Sequence, residues 1–358
     1  MSNKKYIGAV SLGLTYAGCF FGAGYVSGNE LYEFFGSFGV KGYLGLIFSV
    51  VLFWIFGVLL VRNVKLSDKT SFDEVIIIKD YKFPRLIVGA ITIFMMFGIY
   101  VIMAAGAGAL ANRVFDIPDA VGCAVFVFVV SIVSFFGING IVKVFSTIIP
   151  LLVVSTLIIC GIALYKYGIN FDLPMTNKNP LLINWFFSSI TYVSYNMVTL
   201  IGTMIPVGKL VNKKSTIFSG IAFGCIAAIS IAMGILMAVT SIFGAAQEEL
   251  PMLDIAFKIG SGFGIIYAIL LLLAMFGTSL SSIVALNVYA YEKSHVLNKH
   301  KIIFTVLVSV LTFIFSLQGF GNLVNTVYPV FGYIGFIILI IIIVNNIILN
   351  KKNKSIGA

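Results

Sequence analysis

Long apolar runs dominate the chain, and charged positions fall in short bursts between them. Residues 6–29, 42–61, 86–112, 120–142, 144–165, 181–208, 215–247 and 259–291 carry no Asp, Glu, Lys or Arg, and a last such run covers 302–350. A bilayer core of about 30 Å takes about 20 apolar residues per helix, so each run predicts a membrane span. The last is too long for one helix, and Gln318-Gly319-Phe320-Gly321-Asn322 divides it in two. The expected architecture is an all-α polytopic membrane protein of ten transmembrane helices, a single domain over 1–358. One group of five spans lies in 6–165 and a second in 181–350, parted by the punctuated segment 166–180.

Two spans break the pattern. Span 1 carries Gly18, Gly22, Gly24 and Gly28, then Glu30. Glycine loosens a helix, and a carboxylate at bilayer depth costs a few kcal/mol, so this span reads as deliberately interrupted near Phe21–Tyr25. Span 6 holds Ser188, Ser189, Thr191, Ser194, Tyr195, Asn196 and Thr199, followed by Gly202 and Pro206. Hydroxyl and amide side chains compete for backbone hydrogen bonds, which predicts a second interruption; the alternative is a packed helix whose hydroxyls bond back to its own carbonyls. Five spans per group invert the second group relative to the first. Interrupted openers at corresponding places, here helices 1 and 6, point to a secondary-transporter site at the repeat interface.

Composition agrees. The chain is 60% hydrophobic and 10% charged with a mean hydropathy of +1.10, too little charge to cover a soluble domain of 358 residues. A net charge of +10 would suit a nucleic-acid partner, but the topology assigns it otherwise. With the N-terminus inside, only Lys41, Arg113, Lys166, Lys178 and Lys258 of the 23 basic residues fall outside. That bias orients both termini to the cytoplasm, the basic side facing the anionic inner leaflet, and no nucleic acid is needed. Cys19, Cys123, Cys160 and Cys225 sit in apolar runs without C-x-x-C spacing and read as buried hydrophobes; His295 and His300 share one basic loop. No span sets a nucleophile beside a histidine and an acid, so no enzyme is expected and no cofactor beyond a coupling ion.

Smaller features complete the pass. The inner stretch SFDEVIIIKDYKF (71–83) reads equally as an interfacial helix start or as a plain polar connector. The run AAGAGALA (104–111) in span 3 invites close approach of a neighbouring helix. Phe-Gly-Ile-Asn-Gly (136–140) is a tight link between spans 4 and 5, Pro150 falls inside span 5, and segment 244–258 has amphipathic spacing that suits a cap over the outer vestibule.

The run Gly22-Ala-Gly24-Tyr-Val-Ser-Gly28-Asn-Glu30 resembles span 1 of the YkvI-type bacterial membrane proteins, which belong to the amino acid–polyamine–organocation superfamily with the LeuT fold. Length and span count agree over the whole chain. The resemblance implies a five-plus-five inverted repeat with solute held between spans 1, 3, 6 and 8. Gly22-Ala-Gly24 is similar to the G-x-G of the unwound span 1, and Tyr100 to a span-3 tyrosine that touches a substrate carboxylate. A sodium site in that fold uses span-1 carbonyls, here by position those of Gly18 and Phe21, and span-8 hydroxyls. The span-8 pattern can be laid on Thr278 and Ser279, lacking its small residue, or on Ser281 and Ser282, lacking its threonine.

A site also follows from the physics. Carbonyls ending an inner half-helix suit Na⁺, and N–H groups opening an outer half, at Val26, Ser27 and Gly28, suit a carboxylate. Ala23 and its flanking glycines let backbone approach a ligand. Ser194, Tyr195, Asn196 and Thr199 could do the same in span 6. Glu30 is suited to carry a proton or pair with a substrate amine, whereas Glu33 reads as interfacial. The expected function is cation-coupled (Na⁺ or H⁺) uptake of a small amino acid or related organic solute by alternating access. An uncoupled channel or facilitator, or a non-transporting receptor or assembly subunit, are the alternatives. The expected partners are the solute and the lipid bilayer; oligomeric state is left open.

Overall fold

A computed structural model describes residues 6–67, 75–77, 81–135, 141–170, 173–243 and 248–356. It is built from α1 (Ala9–Gly18), α2 (Ala23–Ser27), α3 (Asn29–Phe34), a 3₁₀ turn at Gly36–Phe38, α4 (Val40–Leu66), α5 (Lys82–Phe115), α6 (Asp119–Ser134) and α7 (Ile141–Tyr167). The second half continues with α8 (Trp185–Gly208), α9 (Lys214–Phe243), α10 (Pro251–Ile259), α11 (Ser261–Lys293), α12 (His295–Lys299), α13 (Lys301–Ser316) and α14 (Phe320–Ile356). Among the described residues there is no strand.

Six helices there are long and apolar enough to cross a membrane: Val40–Leu66, Phe83–Phe115, Pro150–Tyr167, Lys214–Phe243, Ser261–Tyr291 and Phe320–Asn350. The apolar helices α6 and α13 are shorter. Their outward faces are greasy: Val121, Val125, Phe128 and Ile132 form an exposed stripe on α6 at helical spacing. In water such a surface would be costly, and lipid is its natural solvent.

Small residues set the closest helix contacts. A Cβ on Gly13 of α1 would lie 2.6 Å from the Gly220 carbonyl of α9, and one on Gly224 would lie 2.6 Å from the Gly13 carbonyl. The expected close approach at 104–111 is made by α6, since a Cβ on Gly122 would stand 2.7 Å from that of Ala111. Gly332 and Gly335 of α14 rest on Thr191 and Ser194 of α8 in the same way. Helix neighbours also follow an offset. Where α1 meets α9, α8 meets α4; where α7 meets α9 and α11, α14 meets α4 and α5.

The interruption expected in span 6 is absent. α8 runs unbroken from Trp185 to Gly208, opened by Asn184, whose side chain accepts from the Phe186 and Phe187 N–H groups at 3.0 Å. Its hydroxyls bond back along the helix: Ser189 to the Trp185 carbonyl at 2.7 Å, Thr191 to Phe187 at 2.8 Å and Thr199 to Asn196 at 2.8 Å. These local bonds satisfy the polar side chains without opening the helix. The discontinuity of the fold therefore lies in span 1.

Of the inner stretch at 71–83, Val75 and Ile76 are buried, and their carbonyls accept from the Asn345 amide at 3.3 and 2.7 Å. These two residues are thus tucked into protein; positions 71–74 and 78–80 lie outside the described residues, as does the 136–140 link. Of the segment 244–258, positions 244–247 lie outside the described residues, and Pro251–Ile259 forms α10, which buries its own Met252, Leu253, Ile255 and Ala256, while Asp254 pairs with Arg113 at the end of α5.

Candidate functional site

Span 1 is broken twice. α1 stops at Gly18; Cys19–Gly22 is non-helical and holds a tight turn in which the Gly22 N–H donates to the Phe20 carbonyl at 2.7 Å. The chain re-enters a helix at Ala23, one turn earlier than Val26. The Val26 and Gly28 N–H groups are consequently taken, by the Gly22 carbonyl at 3.1 Å and the Tyr25 carbonyl at 3.2 Å, and are not the free donors expected from the sequence.

The second break is Gly28, at φ +85°. Its position is doubly determined: a side chain would be strained at that φ, and its Cβ would meet Val239 at 3.0 Å and Met252 at 3.1 Å. Gly28→Ala is expected to destabilise the protein by about 1–2 kcal/mol from backbone strain alone, read as a lowered Tm in detergent.

This kink builds the site. On one continuous helix, residues 24 and 30 would lie about 120° apart in projection. The turn at Gly28 folds α3 back, so a Cβ on Gly24 would lie 2.6 Å from Glu30 Oε2 and 3.2 Å from the Tyr328 hydroxyl. Glu30 is 5% exposed, and the Tyr195 hydroxyl donates to its Oε1. Asn196 also faces the carboxylate, with Tyr25 and Tyr328 close by. Tyr192 is 1% exposed and directed at the same group, yet its hydroxyl makes no hydrogen bond of good geometry. The Tyr195 and Tyr328 rings stack at 4.8 Å, and Tyr192 meets Tyr195 edge-on at 5.6 Å. Among the described residues, Glu30 makes no ion pair.

The outcome for the other expected residues is mixed. Gly24, Glu30, Tyr195 and Asn196 come together. Ser27 bonds to the Gly24 carbonyl at 2.9 Å, and the Val26 carbonyl accepts from Tyr267 of α11 at 2.6 Å. Ser194 is turned to the Gly332 carbonyl of α14 at 2.6 Å, and Thr199 is spent within α8. Tyr100 is directed elsewhere: its hydroxyl donates to the Val127 carbonyl of α6 at 3.4 Å, because α5 presents that face to α6 and α13. Glu33 is 5% exposed and faces Asn325 of α14.

For the ion, Gly18 and Gly22 border open space, while Phe21 is buried. On α11 the Thr278 hydroxyl is bonded to the Ala274 carbonyl at 3.0 Å and that of Ser282 to Thr278 at 2.8 Å. Ser281 is exposed on the outer face of the helix, which removes it as a ligand. Ser279 is buried with its hydroxyl unpartnered. Among the described residues no group of three or more His, Cys, Asp or Glu could hold a metal ion.

Sequence reasoning passed over Tyr25, Tyr192 and Tyr328. The signal was present: interfacial tyrosines sit at span ends, whereas Tyr192 and Tyr195 recur one turn apart deep in a span.

The all-α bundle with its broken first span has the fold of solved LeuT-fold transporters. The chain is homologous to the membrane protein YkvI of Bacillus subtilis, 25% identical over 330 residues that cover 91% of this chain and 92% of the relative. YyaD of the same organism is 24% identical over 328 residues, covering 90% and 92%. Both relatives are uncharacterised, and no family model matches.

Three solved structures share the fold. The inward-facing conformation of Mhp1 aligns with a TM-score of 0.64 at 13% identity, covering 95% of this chain and 76% of that one. A manganese transporter of Eremococcus coleocola gives 0.61 at 11%, covering 96% and 86%. MhsT in complex with L-phenylalanine gives 0.58 at 17%, covering 94% and 88%.

Proposed function

We propose that this chain is a secondary active transporter that carries a small amino acid or related organic solute by alternating access, coupled to Na⁺ or H⁺. The observation that carries this reading is the Glu30 carboxylate set against Gly24 at a double break in span 1 of a LeuT-type bundle. An intramembrane carboxylate held by hydroxyls marks a solute or ion path. The unpartnered Ser279 hydroxyl supports a hard cation, and the enclosed Glu30 supports a proton. Ten crossings, with α1–α3 and α8 among them, cytoplasmic termini and a bacterial cell membrane complete the proposal. The offset pairing of helix neighbours supports the two inverted halves.

Reconstituted vesicles test it. An imposed Na⁺ or pH gradient should drive solute uphill, and collapse of the effective gradient should abolish accumulation and identify the ion. Flux that only equilibrates solute would indicate a facilitator; ligand-dependent stabilisation without flux would indicate a receptor.

A further inference from the structure

A second carboxylate lies one turn beyond Glu30. Glu33 follows it on α3, and both are 5% exposed. Residues three apart on a helix share a face, with Cβ atoms about 5–6 Å apart. That face turns to α14, where the residues they meet are also three apart: Tyr328 stands close to Glu30, and Asn325 faces Glu33. From Asn325 the line of polar groups continues out of the bundle. Its carbonyl accepts from the Asn179 amide at 2.8 Å, in the segment between the two halves. That segment also closes over the turn that follows α3. The Thr176 and Asn177 N–H groups donate to the Ser37 carbonyl at 2.8 and 2.9 Å, and the Thr176 hydroxyl meets that of Tyr32 at 3.2 Å. Thr176 and Asn179 are half-buried, and Lys178 between them is exposed. Glu33 therefore stands between the enclosed Glu30 cage and the surface at the expected outer end of span 1.

We propose that Glu33 is a proton relay that loads Glu30 from the outer aqueous phase. The inference rests on the transporter reading, and of the two ions in that reading it selects the proton. Carboxylates in series within a membrane are a means of passing protons along a path. Transfer carries the Glu33 O–H proton to the Glu30 carboxylate, across a gap of one helical turn that a single water can bridge. Glu33 is left as the carboxylate and takes the next proton from outer water. Each end is built to serve both protonation states. The Asn325 amide can donate to a Glu33 carboxylate through its NH₂ or accept from the acid through its carbonyl. At Glu30 the Tyr195 hydroxyl is committed to Oε1. That of Tyr192 is 1% exposed, directed at the carboxyl group and unpartnered, so it can give or take a hydrogen bond as the proton arrives. The titratable groups facing the pair are Tyr25 from α2, Tyr192 and Tyr195 from α8, Tyr328 from α14 and, beside Glu33, Tyr32. All are tyrosines, whose ordinary titration lies far above that of a carboxyl group.

The test uses dicyclohexylcarbodiimide, an apolar reagent that adds to a carboxyl group in its protonated form. Full-length protein is reconstituted in vesicles with its outer face outward and the inner pH held fixed, and the labelled residue is read by tandem mass of its peptide. In the unaltered protein both Glu30 and Glu33 should label, and raising the outer pH should cut both by about tenfold or more. In Glu33→Gln the labelling of Glu30 should no longer follow the outer pH. Glu33→Asp, which keeps a proton carrier, should restore the response. Glu33 that stays unlabelled, or ignores the outer pH, in the unaltered protein overturns the relay without recourse to a variant. So does Glu30 that still follows the outer pH in a Glu33→Gln protein of unchanged Tm. Vesicle uptake of a radiolabelled amino-acid mixture separates the two readings. Accumulation driven by a pH gradient and unchanged in Glu33→Gln, or driven by a Na⁺ gradient alone, sinks only the relay; pH-dependent labelling with no flux sinks only transport.

Discussion

Glu30→Gln is expected to lower gradient-driven uptake by about a hundredfold or more while the protein inserts and purifies normally. Glutamine matches glutamate in length and shape, and its carbonyl oxygen can still accept from Tyr195, so the tyrosine cage can stay in place. What is removed is the group that can carry a proton or pair with a cation. Uptake measured in vesicles, beside Tm and elution profile in detergent, separates loss of that group from loss of fold. Uptake at the level of the unaltered protein would take Glu30 out of the mechanism.

Gly24→Leu is expected to abolish ligand-induced stabilisation. A Cβ at this position would already sit 2.6 Å from Glu30 Oε2, inside any acceptable contact, and 3.2 Å from the Tyr328 hydroxyl. The remaining carbons of leucine would have to displace the carboxylate from its cage. Overpacking of this kind costs about 1–3 kcal/mol, so the protein should still fold. Gly24→Ala should give a weaker version of the same defect. If Gly24→Leu bound the solute normally, the carboxylate could not be resting on Gly24 and the folding back of α3 at Gly28 would be wrong.

Several features of this arrangement were legible along the chain. Glycines at 18, 22, 24 and 28 announce a helix that cannot stay regular, and Glu30 announces a group that must face protein. The small-residue run at 104–111 announced a close helix contact, which α6 supplies. Span 6 was the harder case. Its serines and threonines have the same composition whether a helix is broken or intact, and the choice turned on bonds to carbonyls three or four residues back. Tyr100 shows a second limit. A tyrosine deep in an apolar run must find a partner, but the run does not say which neighbouring helix offers it, and here it is α6.

By itself, the sequence determined the all-α membrane class, a break in span 1 and the burial of Glu30, because each follows from local cost: too little charge for water, glycine in a helix, a carboxylate in lipid. Only the tertiary structure decided that span 6 stays whole, that Glu33 is buried against Asn325, and that four tyrosines from α2, α8 and α14 surround one carboxylate. Those outcomes depend on which helices become neighbours. The kink at Gly28 turns Glu30 back onto Gly24 and toward Tyr195, and the glycines of α14 let Tyr328 come close to Tyr195; the Glu30–Tyr195 and Tyr195–Tyr328 contacts are made across 165 and more than 130 residues of chain that no local pattern encodes.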